Sequence, residues 1–218
     1  MWIKICGVTR ESDAFQIAEC GADAIGLNFY SGSRRCISVA QGRLIRQQVG
    51  TSLSVVGVFV NSDVGQVVDI VNSVGLSMVQ FHGDESASLI ADFHQRCPEI
   101  GIIRACRIGS GENSELPSQL SELQSLSVPL QAVLVDAFVA GEYGGTGRQI
   151  DIALLPHSAE IGVPLILAGG LKPENVAAAI KSVKPWGIDT AGGVEQSPGV
   201  KCSERVAAFI RAARGASA

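Results

Sequence analysis

The sequence predicts an α/β protein of the (β/α)8, or TIM, barrel class, with residues 1–218 forming a single domain. Strand-like and helix-like segments alternate from end to end, which indicates repeated βα units and therefore a parallel sheet with right-handed crossovers. Eight strand-like segments occur in 218 residues, and eight such units favour closure into a barrel. An open doubly wound sheet is the alternative, but the first βα turn has no GxGxxG, which argues against its dinucleotide-binding version.

The predicted strands are short runs of apolar and β-branched residues, and several are apolar throughout, as expected for strands buried on both faces. They cover residues 2–6, 24–28, 54–60, 77–81, 101–107, 132–136, 164–168 and 186–189. Apolar residues at helical spacing predict amphipathic helices at 13–20, 63–74, 174–183 and 203–213. The Ser- and Gln-rich region 109–127 predicts a loop followed by a weak fifth helix.

Composition narrows the class of protein and its partners. Apolar residues make up 46% of the chain and charged residues only 17%, which is typical of a well-packed globular protein. The net charge of −4 comes without a basic tract or zinc-finger spacing, so we expect no nucleic-acid partner. No apolar run reaches the roughly 18 residues of a membrane span, and the first residues lack the pattern of a signal peptide. We therefore expect a cytoplasmic protein without a membrane partner.

The six cysteines show no CxxC pair. In a chain of this length and apolar content, this favours reduced thiols in a cytoplasmic protein. A secreted protein with a disulfide framework is the alternative.

Candidate acid/base residues stand at the ends of two predicted strands, where the loops of a barrel build the active site. Cys6 ends the first strand, and nearby Lys4 or a helix N-terminus would lower the pKa of its thiol. The alternative for Cys6 is a small buried apolar residue. Asp136 ends an apolar strand, where poor solvation would raise the pKa of its carboxyl group enough for a general acid. The alternative for Asp136 is a cap of the following loop.

Two glycine pairs, Gly169-Gly170 and Gly192-Gly193, follow the seventh and eighth predicted strands. Backbone N–H groups in such turns bind anions, and these two loops are where barrels of this class commonly hold a phosphate group. The sequence therefore favours a phosphorylated small-molecule substrate, with tight turns alone as the alternative. Glu195, two residues further on, is interpreted only as a cap of the next turn.

Other polar residues follow other predicted strands. Arg34 and Arg35 lie after the second strand, and either could clamp a substrate carboxylate with two hydrogen bonds. A solvated surface pair is the alternative for these two arginines. His82 either points into the mouth of the barrel or satisfies a loop carbonyl group. Asp189 either orders the loop after the eighth strand or contacts the hydroxyl groups of a sugar.

A series of motifs runs through nearly the whole chain in order. It comprises KICGVT, GLNFY with a following Ser-x-Arg, VGVFVN, VQFHGDE, LVDA, YGGTG, LAGGLKPENV and GGVE-x-SPG-x-K. In combination these motifs resemble phosphoribosylanthranilate isomerase of tryptophan biosynthesis. The resemblance implies a (β/α)8 barrel and an Amadori rearrangement, in which N-(5-phosphoribosyl)anthranilate becomes 1-(2-carboxyphenylamino)-1-deoxyribulose 5-phosphate. It implies neither a cofactor nor a metal.

The resemblance also implies roles for the matched residues. Asp136 matches the general acid that protonates the furanose ring oxygen, and Cys6 matches the general base that removes the C2′ proton. Arg35 matches the arginine that meets the anthranilate carboxylate. The two glycine pairs match the phosphate loops of the family.

The chain departs from the family pattern at residues 150–152, where Ile-Asp-Ile stands for Phe-Asp-Trp, and at Ala191-Gly192, where the family often has two serines. These departures bear on affinity and specificity more than on the type of reaction. Two other functions are alternatives: an isomerase or epimerase for another phosphorylated sugar, and a non-catalytic protein that binds a phosphorylated ligand. Simple binding needs neither Cys6 nor Asp136, which argues against the second. The assembly is expected to be a monomer or a homodimer.

Overall fold

Eight parallel strands form a closed barrel in the computed structural model of this chain, which describes residues 1–108, 116–137 and 162–217. The strands are β1 (Trp2–Cys6), β2 (Ala24–Asn28), β3 (Ser54–Phe59), β4 (Met78–Phe81), β5 (Gly101–Ile108), β6 (Ala132–Ala137), β7 (Leu165–Leu167) and β8 (Gly187–Thr190). Each strand pairs with the next, and β1 also pairs with β8, which closes the barrel. The predicted fold class is confirmed, and each predicted strand is present with bounds that differ by no more than one residue.

Helices pack around the outside of the barrel. They are α1 (Glu11–Glu19), α2 (Val39–Val49), α3 (Val64–Val74), α4 (Ala87–Arg96), α5 (Leu116–Ser125), α6 (Val176–Val183) and α7 (Ser203–Ala216). A short antiparallel pair, β9 (Glu195–Ser197) and β10 (Val200–Lys201), follows β8. None of the helices in the described part of the chain is long and apolar enough to cross a membrane.

Two of these helices, α2 and α4, are not predicted from the sequence. Each buries three residues, as the predicted helices α1 and α6 also do, so the size of the buried face does not explain the difference. Their starts are set by side-chain caps, because Ser38 accepts a hydrogen bond from the Gln41 N–H and Ser86 accepts one from the Leu89 N–H. The predicted fifth helix is present as α5, and the predicted loop at 109–115 lies outside the described residues.

Two layers of buried side chains hold the barrel together. Side chains that point inward fill its interior, among them Val56, Ile103, Leu134 and Ile166. Alternate residues of the same strands point outward and pack against the helices in a larger core. A filled interior leaves only the ends of the barrel open, so polar side chains at the carboxyl ends of the strands converge on one face.

Candidate active site

A cavity of about 270 Å³ opens at the carboxyl end of the barrel, where the loops after the strands meet. The nine residues that the sequence analysis assigns to the site all line this cavity, although they follow six different strands. Arg34 is exposed and does not line the cavity, which answers the question of which arginine faces the site. The YGGTG motif and residues 150–152 lie outside the described residues. The nine residues are Cys6, Arg35, His82, Asp136, Gly169, Gly170, Asp189, Gly192 and Gly193.

Cys6 lies beside a buried ion pair between Lys4 and Asp189. The Nζ atom of Lys4 is 3.1 Å from Oδ1 of Asp189, and the Lys4 side chain is fully buried. Gly26 on strand β2 leaves room for this cluster, because a Cβ atom there would stand 2.7 Å from Sγ of Cys6 and 3.1 Å from Cε of Lys4. The carboxylate of Asp189 is thus tied to strand β1, and this bond orders the end of β8.

Lys4 acts in the expected direction on the pKa of the Cys6 thiol, but the net pKa is raised and not lowered. Burial raises this pKa above its ordinary value, and the positive charges of Lys4 and Lys201 offset the burial only in part. Burial also disfavours the charged form of Lys4, but the ion pair and hydrogen bond with the carboxylate of Asp189, together with the interaction with the sulfur of Cys6, outweigh burial and raise the pKa of the ammonium group. In the free protein at neutral pH, Cys6 is therefore a thiol beside a fixed positive charge.

His82 points into the cavity toward Asp136. Its Nε2 atom lies 3.6 Å from Oδ2 of Asp136, which is longer than a hydrogen bond, and Nε2 has no hydrogen-bond partner among the described residues. On the other side of the ring, Nε2 of Gln80 lies 2.6 Å from Nδ1 of His82. An amide N–H only donates, so in this orientation of the amide Nδ1 accepts and the neutral ring carries its proton on Nε2. In this tautomer the ring presents an N–H group toward Asp136.

Arg35 is held at the edge of the cavity by Glu195, a residue that the sequence analysis interprets only as a turn cap. The Nε and Nη2 atoms of Arg35 donate to the two carboxylate oxygens of Glu195 at 2.8 and 2.7 Å. Glu195 also accepts a hydrogen bond from Nζ of Lys201 at 2.7 Å. The stem of Arg35 crosses Gly7, which has a φ of +71°, and a Cβ atom there would overlap Cδ of Arg35. Glycine at position 7 is thus required both by its backbone conformation and by the close approach of this arginine.

Lys201 ties the same network to the base of the site. Besides Glu195, its ammonium group donates to the carbonyl oxygens of Cys6 at 2.6 Å and of Ala191 at 3.2 Å. Burial lowers the pKa of Lys201, and Glu195 offsets this only in part. Burial raises the pKa of the Glu195 carboxyl group, but the hydrogen bonds and charges of Arg35 and Lys201 outweigh burial. The pKa of this carboxyl group therefore lies below its ordinary value. Glu195 is therefore a carboxylate over the whole physiological pH range.

The two glycine pairs line the same cavity from the loops after β7 and β8, and Gly192 lies beside Arg35, because a Cβ atom on it would stand 3.4 Å from Nη2 of that arginine. Gly169 and Gly170 have φ angles of +92° and +64°, which favour glycine and turn the backbone N–H groups of this loop sharply. A Cβ atom on Gly193 would overlap the carbonyl oxygen of Leu171, so the loops after β7 and β8 are in direct backbone contact. Thr190 fastens this contact, because its hydroxyl group donates to the same carbonyl oxygen at 2.7 Å.

Two exposed cations flank the glycine loops, and the sequence analysis does not identify either of them. Lys172 follows the first glycine pair and lines the cavity. Arg205, in the first turn of α7, also lines the cavity, and its Nε atom donates to the carbonyl oxygen of Gly193 at 3.2 Å. Glycine-rich turns and nearby cations are features that favour binding of an anion.

Fold and cavity together define this chain as a (β/α)8-barrel protein with a site for a small ligand that is negatively charged. Comparison with known proteins identifies the family within that class. Residues 3–212 match the family model described as N-(5′-phosphoribosyl)anthranilate (PRA) isomerase. A curated protein of this name from Pseudomonas fluorescens is 42% identical over 211 residues, which is 97% of either chain.

Solved structures agree with this match. The phosphoribosylanthranilate isomerase of Thermotoga maritima superposes with a TM-score of 0.87 at 35% identity, over 99% of both chains. A phosphoribosylanthranilate isomerase in complex with reduced 1-(o-carboxyphenylamino)-1-deoxyribulose 5-phosphate has a TM-score of 0.83 at 32% identity, over 99% of both chains. The chain therefore belongs to the N-(5′-phosphoribosyl)anthranilate isomerase family, and it is an intramolecular isomerase of tryptophan biosynthesis.

Proposed function

We propose that Asp136 and Cys6 are the general acid and the general base with which this chain carries out the Amadori rearrangement of N-(5′-phosphoribosyl)anthranilate. The observation that carries the proposal is their placement in one cavity, at the carboxyl ends of β6 and β1. These strands are separated by β7 and β8 in the barrel, so a sugar bound between them meets one group on each side. General acid–base catalysis requires this arrangement.

The reaction begins when Asp136 donates its proton to the ring oxygen of the furanose. The ring opens and leaves a Schiff base between C1′ and the anthranilate nitrogen. Cys6 first loses its thiol proton to solvent, and the resulting thiolate removes the proton from C2′, so that the electron pair of that C–H bond forms the enolamine. Protonation at C1′ and loss of the enol proton give the ketone, 1-(2-carboxyphenylamino)-1-deoxyribulose 5-phosphate. Atoms balance, because each proton taken from the substrate is returned to it or to solvent.

The environment of each group supports its role. The raised pKa of the Cys6 thiol makes its thiolate a strong base, and the ammonium group of Lys4 favours that thiolate once it forms. The Nε2–H group of His82, directed toward Asp136, stabilises the carboxylate that remains after Asp136 has given up its proton. His82 and Asp189 are thus proposed to lie along the bound sugar.

The two ends of the cavity support the orientation of the substrate. We assign the phosphate group to Gly169, Gly170, Gly192 and Gly193, whose loops present backbone N–H groups. The carboxylate of the anthranilate ring is assigned to Arg35, which follows β2 and lines the same cavity. A ligand with a negative charge at each end is thereby fixed in one direction, with its sugar between Cys6 and Asp136.

Turnover of the purified protein tests this proposal. N-(5′-phosphoribosyl)anthranilate, formed in place from anthranilate and the pyrophosphorylated ribose, is followed by its fluorescence with wild type, Cys6→Ala and Asp136→Asn. We expect wild type to consume it faster than it breaks down spontaneously, and both variants to lose about 10² or more in kcat. Full activity in either variant would contradict its assigned role.

We also propose that residues 1–218 act as one domain in the cytoplasm. The match to the family model from residue 3 to residue 212 supports one domain, and the six free cysteines are typical of a reducing compartment. A related structure from Thermotoga maritima is described as monomers of a dimeric enzyme. Light scattering distinguishes the monomer from the homodimer, the two assemblies proposed for this chain.

A further inference from the structure

The guanidinium group of Arg35 has two edges that can each bind a carboxylate. It carries five N–H groups, on Nε, Nη1 and Nη2. Glu195 takes the side edge, formed by Nε and Nη2, with bonds of 2.8 and 2.7 Å. This pairing leaves the end edge, formed by Nη1 and the second N–H of Nη2, for another anion.

Glu195 is itself fixed from three directions. Its oxygens accept hydrogen bonds from Arg35, from Nζ of Lys201 and from the backbone N–H of Gly199. The side chain of Glu195 is only 5% exposed and that of Lys201 only 1%, whereas Arg35 is 16% exposed. The arginine is therefore the member of this network that reaches the cavity, and the two residues behind it are buried.

The charges of the network are unequal. Two cations, Arg35 and Lys201, share the single carboxylate of Glu195. One positive charge is left without a matching negative charge at the edge of Arg35 that faces the cavity. A ligand carboxylate bound at this end edge would neutralise it. Without Glu195 the two cations would repel each other, and the long side chain of Arg35 would lose its fixed orientation.

We propose that Glu195 is a positioning residue for recognition of the substrate carboxylate. It holds Arg35 by the side edge so that the end edge faces the aryl carboxylate of the ligand, and Lys201 holds Glu195 in place. Glu195 thereby sets the preference for an aryl amine that carries a carboxylate over one that lacks it. This inference rests on the role proposed above for Arg35.

The test compares two ligands that differ in this one group. Affinities are measured by calorimetry for reduced 1-(2-carboxyphenylamino)-1-deoxyribulose 5-phosphate and for the same compound without its carboxyl group. We expect Glu195→Gln to weaken binding of the carboxylated ligand by about tenfold or more and to change binding of the other ligand less than about twofold. The ratio of the two affinities is the readout, because a general loss of structure would weaken both ligands alike.

Glu85→Gln is the matched control. Glu85 is another buried carboxylate bonded to an arginine, with 2.7 Å between its Oε2 atom and Nη1 of Arg104, but neither residue lines the cavity. We expect this variant to leave the ratio of affinities unchanged. If Glu195→Gln does not fold, Glu195→Asp gives the same test, because the shorter side chain keeps the charge but cannot reach both Arg35 and Lys201 in their present positions. It too should lose affinity selectively for the carboxylated ligand.

Three results would overturn the inference: equal weakening of both ligands by Glu195→Gln, no change in either, or tighter binding of the carboxylated ligand. The last would mean that Glu195 competes with the substrate for Arg35. Arg35→Met separates this failure from failure of the underlying assignment. If Arg35→Met weakens binding of the carboxylated ligand selectively and Glu195→Gln does not, only the positioning role of Glu195 is wrong. If Arg35→Met weakens both ligands alike or neither of them, the assignment of Arg35 to the substrate carboxylate is wrong as well.

Discussion

Two neighbouring parts of the cavity, the proposed phosphate end and the proposed carboxylate end, are built to hold negative charge in different ways. At the proposed phosphate end, two glycine pairs line the cavity, and the nearby cations, Lys172 and Arg205, are exposed. At the carboxylate end, the charge is carried by the side chain of Arg35 and fixed from behind by buried Glu195 and Lys201. Binding of the phosphate group should therefore depend on the shape of the backbone, and binding of the carboxylate on particular side chains.

The largest expected effect comes from a change in backbone shape at the phosphate end. In Gly193→Ala the added Cβ atom overlaps the carbonyl oxygen of Leu171, which is backbone and has little freedom to move away. We expect kcat/KM to fall by about 100-fold, because the phosphate group, and with it the sugar, is displaced. Gly215→Ala is the control, since its Cβ atom meets nothing within 4 Å. An unchanged KM in Gly193→Ala would show that this loop does not shape the site.

A smaller effect is expected from removal of charge at the carboxylate end. Arg35→Met deletes a charged, two-bonded contact worth about 2 kcal/mol, which corresponds to about 30-fold in kcat/KM. Arg34→Met removes a neighbouring arginine that is exposed and outside the cavity, and it should cost less than about twofold. Steady-state kinetics of the two variants side by side check this expectation. Equal losses in both would mean that net charge, and not the contact, attracts the substrate.

The smallest effect on activity is expected from the exposed cations at the phosphate end. Lys172→Met or Arg205→Met should raise KM by no more than about fivefold, because solvent screens exposed charges. The increase should shrink as salt is added. A loss as large as that of Gly193→Ala, or one that salt does not alter, would mean that these side chains and not the backbone bind the phosphate group.

Titration of Cys6 sharpens the comparison further, since its backbone carbonyl group accepts a hydrogen bond from Lys201, which also holds Glu195. Burial raises the pKa of this thiol in the folded protein, so the ultraviolet absorbance of its thiolate, taken as wild type minus Cys6→Ala, should appear above the ordinary pH range for cysteine. The folded state favours the neutral thiol. Cys6 therefore stabilises the folded protein fully at pH values below the pKa of its thiol in the unfolded chain, and this stabilisation is lost as the pH rises toward the pKa in the folded protein. A thiolate signal at or below the ordinary range would contradict the effect of burial.

The sequence predicts the fold and the members of the cavity well, for a physical reason. Parallel strands buried on both faces are continuous apolar runs, so their ends are easy to locate, and a barrel brings those ends together. Cys6 and Asp136 could therefore be placed on one face without any knowledge of their surroundings. The same reasoning puts both glycine pairs beside the cavity.

Interactions that depend on the path of a loop could not be predicted in this way. Arg35 and Glu195 are 160 positions apart in the chain, and nothing in their local sequence indicates that they are paired. Arg205 is recruited from the first turn of α7, and no strand end points to it. The direction of the Cys6 pKa shift was also out of reach, because it depends on a balance between burial and the charges of Lys4 and Lys201.

The most direct test of the whole account is a pair of measurements on one variant, the turnover and the ligand affinity of Cys6→Ala. The account places chemistry and binding on different residues, so the variant should lose about 10² or more in kcat while it binds reduced 1-(2-carboxyphenylamino)-1-deoxyribulose 5-phosphate within about threefold of wild type. Retained turnover would contradict the role of Cys6 as the base. Loss of affinity in step with turnover would show that Cys6 shapes the site and does not act in the reaction.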